Sequence, residues 1–178
     1  FQDNIKRMLA YSSVAQVGYM VLGISLVSSA GLTAAVLHLF NHALMKGALF
    51  LALGCVAYRL GSVRLGAIAG LGQRMPWTMA AFLVGALSLI GIPLTAGFVS
   101  KWYLILAAVE RGWWPLVVVV IAGSLLAIIY VWRVVEMAYL RPPPEKLSVT
   151  EAPLSLLLPT WLLAGANVYF GIDTRFSV

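Results

Sequence analysis

Three ionisable side chains stand four residues apart in the stretch HLFNHALMKGALF, residues 38–50: His38, His42 and Lys46. On an α-helix turning about 100° per residue they share one stripe that rises about 12 Å over two turns. Their neighbours are Leu, Phe, Ala and Met, side chains that hydrocarbon would accept. A lysine at membrane depth costs roughly 2.5–3.5 kcal/mol on insertion scales, so it needs a partner, water or a purpose. Histidine changes charge near neutrality, and a desolvated lysine approaches that range. The stripe therefore has the elements of a proton relay, with Asn41 and Thr33 expected close to it. The plainer alternative is structural: a membrane histidine that hydrogen-bonds a neighbouring helix, and a lysine that snorkels to the interface. The mid-span position of Lys46 makes snorkelling difficult. A zinc pair at i, i+4 is disfavoured because no carboxylate or thiolate lies nearby in sequence.

Lys101 is a second lysine in apolar surroundings, and it follows the break IPLTAG (residues 92–97) directly. Discontinuous helices expose backbone and helix termini around ion sites at mid-depth, which suggests a role for Lys101 in ion passage. The alternative is an amphipathic interfacial helix whose lysine reaches the headgroups. Arg133 and Glu136, at i, i+3, read as a helix-face pair near the interface. Gln16, Tyr19 and Ser100 suit a wet path and helix packing equally well.

These residues must be positioned by membrane-crossing helices. Of 178 residues 62% are hydrophobic and 10% charged, and mean hydropathy is +0.96. A soluble domain of this size carries more charge. Apolar runs near the ~20 residues needed to cross hydrocarbon recur along the chain. The expected fold is an all-α polytopic bundle of about five spans: Met8–Val27, Leu32–Tyr58, a discontinuous segment over roughly 77–109, Trp113–Leu140 and Pro153–Phe170. Pro93 and Gly97 disfavour one continuous helix through the third of these. Residues 59–75 form a glycine-rich basic loop, Pro76 suits a helix first turn, and Pro142–Pro144 an extended linker.

Basic residues decide how the broken segment crosses. With Lys6 and Arg7 in the cytoplasm and one discontinuous crossing, eight Lys and Arg fall inside and two, Arg111 and Arg175, outside. With two crossings, Arg133, Arg141 and Lys146 move outside, and the split becomes seven against three. The positive-inside bias prefers the single broken span. The same bias accounts for 12 Lys+Arg against 6 Asp+Glu without nucleic acid, since there is no basic run. One cysteine, Cys55, excludes an internal disulfide or a cysteine-based cluster within the chain. No nucleotide-phosphate loop, catalytic triad or haem attachment motif is present, so neither enzyme chemistry nor a cofactor is expected here. The start at Phe1, with no signal peptide, reads as a piece of a longer protein.

Four motifs in order, DNIKRMLAYSSVAQVGYMVLG, HLFNHALMKGALFLALG, LAGLGQRMPWTMAAF and LSLIGIPLTAGFVSKWYLIL, resemble the proton-conducting antiporter-like membrane subunits. That family includes the large subunits of Mrp-type cation/proton antiporters and the pumping subunits of respiratory complex I. The resemblance covers nearly the whole chain and fades after RPPPEK; NHALMKG, MPWTMAAF and GFVSKWYL most resemble the D-type large component of the Mrp antiporters. It implies that residues 1–140 are most of the second inverted-repeat half-channel, and 141–178 a linker and following helix. By motif it implies that Lys46 is the central relay lysine, with His38 and His42 beside it. Lys101 matches the broken-helix residue that is lysine in some members and glutamate in others, and Lys6 a lysine on the same hydrated path. The implied setting is the inner membrane of a prokaryote. Other membrane subunits, lipid, protons and monovalent cations are the implied partners. Two rivals remain: a redox-driven complex I subunit, and a structural membrane piece that only packs against partners.

Overall fold

The computed structural model describes residues 2–143 and 149–174; Pro144, Lys146 and Arg175, named above, lie outside them. Helix α1 (Ile5–Ser25) opens on Asn4, whose side chain accepts from the Arg7 N–H, satisfying one of the donors that a helix start leaves free. Ser28 does the same for α2 (Ser29–Leu60), accepting from the Gly31 N–H. At 32 residues α2 is ~48 Å long, longer than the hydrocarbon is thick. It is the strut of the bundle, packing against α1 and three further helices introduced below. The basic loop after it folds into two short turns, Leu65–Ile68 and α3 (Leu71–Arg74). Helix α4 (Pro76–Ile90) carries its proline in the first turn, as expected. Glu151 accepts from the Trp77 and Thr78 backbone N–H groups at 2.9 and 3.4 Å, capping α4 from a distant loop, while its own carbonyl accepts from Arg59.

Helix α5 (Ala96–Glu110) follows a five-residue break, within which Gly91 and Leu94 take positive φ, 90° and 72°. Gly85 of α4 lies beside Ala48 and Leu49 of α2. Past the break, Asn41 donates to the Ala96 carbonyl at 2.6 Å, and Ala34 shares a core cluster with Leu104, Ala107 and Ala108. Position on α2 falls steadily as position on α4–α5 rises, so both half-helices run antiparallel to α2 in one direction. They are a single crossing, interrupted midway, as the basic residues predicted.

Helix α6 (Trp114–Val135) ends in a wider turn, Glu136–Leu140, and α7 (Leu154–Ile172) closes the bundle against α2, α4 and α5. α7 continues through Pro159 without a stop. Among the described residues four helices are long and apolar enough to cross a membrane, and α4 with α5 makes a fifth crossing. The expected spans are all present, and with the wider turn counted as part of α6 no end is shifted by more than three residues. The Ile5 N–H donates to Val63 O at 3.0 Å and the Gly70 N–H to Met137 O at 3.0 Å. These bonds gather Lys6, Arg7, Arg59, Arg64, Arg74, Arg133 and Arg141 at one end, whereas Arg111 bonds the Val27 carbonyl at the other. Arg133 pairs with Asp3 at 3.8 Å and Glu136 with Arg141 at 2.8 Å, partners that the i, i+3 spacing did not name.

The break depends on a close approach: a Cβ on Gly97 would sit 1.9 Å from the Ser88 carbonyl oxygen of α4. Gly97→Ala is expected to cost on the order of 1–3 kcal/mol, read as a lower thermal midpoint in detergent. Gly54→Ala, with nothing within 4 Å, is the control and leaves the midpoint unchanged or raises it.

Candidate functional site

Two lysines and a histidine lie buried in apolar surroundings, and each is held by a different set of acceptors. Lys46, 6% exposed, reaches from α2 to α1, where its Nζ donates to the Leu9 carbonyl at 2.6 Å and to the Ser12 hydroxyl. The Ser12 hydroxyl in turn donates to Leu9 O at 2.8 Å. His38 is fully enclosed. Its Nε2 lies 3.0 Å from Gln16 Oε1 on α1 and its Nδ1 2.9 Å from Ser100 Oγ on α5. With Gln16 Oε1 as acceptor, the neutral ring donates from Nε2 and receives the Ser100 proton at Nδ1. His38 thus ties α1 to α5 through α2.

Lys101, 5% exposed, turns back toward the end of α4 and donates to Leu89 O at 2.9 Å and Ile90 O at 2.8 Å. It also donates to Ser124 Oγ of α6 at 3.0 Å. The last carbonyls of a helix have no partner within it, and they carry the negative end of its dipole. Lys101 answers both, as a cation capping a helix that stops inside the bundle.

His42 is half-buried one turn from His38, with ring centroids 6.5 Å apart, and its Nε2 has no hydrogen-bond partner. Asn41 Oδ1, also buried, lacks one too. Both stand between the Lys46 and Lys101 clusters along α2. The expected stripe is therefore real for His38, His42 and Lys46, but they are not joined by direct hydrogen bonds. Thr33 is exposed, contrary to expectation, because five residues back from His38 the helix has turned ~500° onto the outer face. Lys6 is exposed at the start of α1, one turn before Leu9, with no hydrogen bond to the buried groups among the described residues.

Sequence reasoning misses the partners more than the charges. Ser12 reads from the sequence as a packing residue, and nothing in the spacing singles out Ser124. Apart from Tyr130, Ser124 is the one hydroxyl in the strongly apolar run of α6, and a polar side chain so isolated is the signal that could have found it. The carbonyls of Leu89 and Ile90 leave no mark in sequence.

Comparison with known proteins settles the family. The model for the transmembrane region of "NADH:quinone oxidoreductase/Mrp antiporter" matches residues 1–127. The chain belongs to this family. It is 43% identical over 184 residues to NADH-quinone oxidoreductase subunit N of Desulforudis audaxviator, covering 96% of this chain and 37% of the relative. Among solved structures, it superposes on a chain of the membrane-bound sulfane sulfur reductase, an archaeal respiratory membrane complex, with TM-score 0.90 and 37% identity. That match covers 97% of this chain and 29% of the other. A chain of the Mrp complex from Dietzia sp. DQ12-45-1b gives TM-score 0.87 and 27% identity, covering 94% and 40%. The chain thus spans just over a third of the length of the first curated relative.

A buried cation whose ligands are neutral dipoles stands at a net cost in a low-dielectric interior. Lys46→Met, of similar length and apolar, is expected to leave the thermal midpoint unchanged or raise it. A midpoint lowered by several degrees would make Lys46 a structural tie between α1 and α2.

Proposed function

We propose that the chain is a proton-conducting portion of an antiporter-like membrane subunit, with Lys46, His38, His42 and Lys101 as stations of a relay. The observation that carries this reading is the alignment along α2 of two buried lysines and an enclosed histidine with a helix break. No buried acid neutralises either lysine among the described residues. His42 bears an unpartnered ring nitrogen at the middle of this seam, and a water there would join the clusters that direct bonds leave apart. Lys6, exposed at the basic end, is at most a collecting residue at the mouth. Residues 1–140 fit most of the second inverted-repeat half-channel, and 141–178 a linker and following helix. Other membrane subunits complete the assembly, and monovalent cations are the ions exchanged in the antiporter case. The basic end faces the cytoplasm of a prokaryotic cell under the positive-inside rule.

Protons pass in this scheme by changes of lysine charge state, driven when a neighbouring ion pair in the assembly moves. Two drives fit. In a multisubunit cation/proton antiporter, sodium or potassium moves the other way, and the NHALMKG and GFVSKWYL wording favours this. In a redox-driven complex the drive is quinone reduction in another subunit, favoured by 43% identity to a subunit N against 27% to the Mrp chain. Genes flanking this one, for small Mrp components or for dehydrogenase components, distinguish the two.

The relay itself is tested in the assembled complex reconstituted into vesicles. Lys46→Ala and Lys101→Ala are each expected to lower coupled proton movement at least about tenfold, a barrier higher by ~1.4 kcal/mol. Wild-type coupling in both variants would sink the relay and leave the structural reading.

A further inference from the structure

Tyr19 is buried, 4% exposed, one turn beyond Gln16 on α1. Its ring meets the His38 ring edge to face, with centroids 5.6 Å apart and planes at 78°. Lys101 Nζ also stands 5.6 Å from the Tyr19 ring centroid, within range of a cation–π contact. The ring therefore touches both groups between which a proton would have to pass, and its carbon framework carries no nitrogen or oxygen through which a proton could be handed on. Its hydroxyl is turned toward α6, 3.5 Å from the Val120 carbonyl, and takes no part in the His38 or Lys101 hydrogen bonds.

Two open grooves reach residues that Tyr19 touches, Gly123 in one and Val120 in the other. One, of about 310 Å³, is lined by Ser12, Gln16, Gly123 and Tyr130, and so holds the partners of Lys46 and His38. The other, of about 250 Å³, is lined by Lys101, Ser124, Val120 and Gly91. Both are mostly apolar and open outward past exposed side chains, Tyr11 and Leu126 at the first and Trp102 and Leu125 at the second. Gly123 borders the first and its neighbour Ser124 the second. The Tyr19 hydroxyl rests over that junction: a Cβ on Gly123 would come within 2.0 Å of it. The absent side chain of Gly123 is what admits Tyr19 to this seat.

We propose that Tyr19, seated over Gly123, is the barrier that divides the proton path into a Lys46–His38 compartment and a Lys101 compartment. The path opens when α6 shifts and the ring leaves its seat. This rests on the relay reading above and adds the residue that keeps it from leaking. With the ring seated between His38 and Lys101 no continuous file of polar groups joins them; removing the ring leaves room for water to complete one.

The test is passive proton flow through the assembled complex in vesicles, under an imposed pH gradient and with no driving reaction. Tyr19→Ala is expected to raise that leak about tenfold, a barrier lower by ~1.4 kcal/mol, and to lower the coupling ratio. Tyr19→Phe keeps the ring and holds the leak at the wild-type level. Gly123→Ala unseats the hydroxyl and leaks, and the added Tyr19→Phe reverses this by removing the atom that collides. Should Tyr19→Ala fail to assemble on a native gel, Tyr19→Val carries the same expectation. An assembled alanine or valine variant with no extra leak overturns the barrier, whether coupled transport persists or falls. A leak that survives in Tyr19→Ala/Lys101→Ala runs outside the path and also overturns it. Neither result touches the relay, which stands or falls on the single lysine variants.

Discussion

A helix that stops halfway through a membrane leaves carbonyls that water cannot reach, and the cost of each is several kcal/mol. In this bundle the end of α4 is relieved by Lys101, whose ammonium takes the Leu89 and Ile90 carbonyls. The dependence runs both ways. Without the lysine the break is unsatisfied, and without the break the lysine would face hydrocarbon with nothing to hold it. Much of the surrounding structure serves this exchange. Gly97 lets α5 close against α4, Asn41 takes the Ala96 carbonyl at the start of α5, and α2 runs past both halves as one unbroken strut. A polar centre has been made from backbone, and only then from side chains.

The seam along α2 is segmented. Lys46 belongs to α1 through Leu9 and Ser12, His38 bridges α1 and α5, and Lys101 joins α4, α5 and α6. Each segment is tied to a different pair of helices, so a small shift of one helix alters one segment without dismantling the others. Packed interfaces of this kind have discrete arrangements, which suits a path that must not conduct continuously. The unpaired His42 Nε2 and Asn41 Oδ1 stand where segments meet. Buried polar atoms without partners are rare enough to need a reason, and a water that comes and goes supplies one.

The element pattern is readable because hydrocarbon imposes it: apolar runs of the required length, with charges between them, leave few alternatives. The break is readable from Pro93 and Gly97, and its single crossing from the basic residues, since Arg111 is the described arginine that falls at the far end. His38, Lys46 and Lys101 announce themselves as charges out of place. What periodicity cannot convey is the other half of each contact, because partners come from α1 and α6 at separations that only the fold brings together. Thr33 is close to the stripe only if turns are counted loosely. Lys6 shares a motif with the path, yet the start of α1 leaves it at the surface, where a long charged side chain gains hydration. Pro159 leaves no stop in α7, because it lies in the second turn and its neighbours pack firmly against α2: Cys55 against Thr160, 3.8 Å apart, and Gly47 against Leu163.

The choice of neutral partners for both lysines bears on mechanism. The buried polar residues among those described are Ser, Thr, Asn, Gln, His and Lys, with no Asp or Glu. A lysine paired with a buried carboxylate would be locked in its charged form, because losing the proton would strand an anion in a low-dielectric interior at a cost of several kcal/mol. A lysine held by carbonyls and hydroxyls has no such anchor. Its neutral amine still donates to two acceptors, so the hydrogen bonds of Lys46 to Leu9 and Ser12 can persist in either charge state. The charge is then free to be set from elsewhere, by a cation or an acid approaching along the path or from a neighbouring protein of the assembly. The absence of a buried acid from these residues therefore leaves the counter-charge to come from outside them, and that is what makes the two lysines responsive to an assembly rather than self-contained.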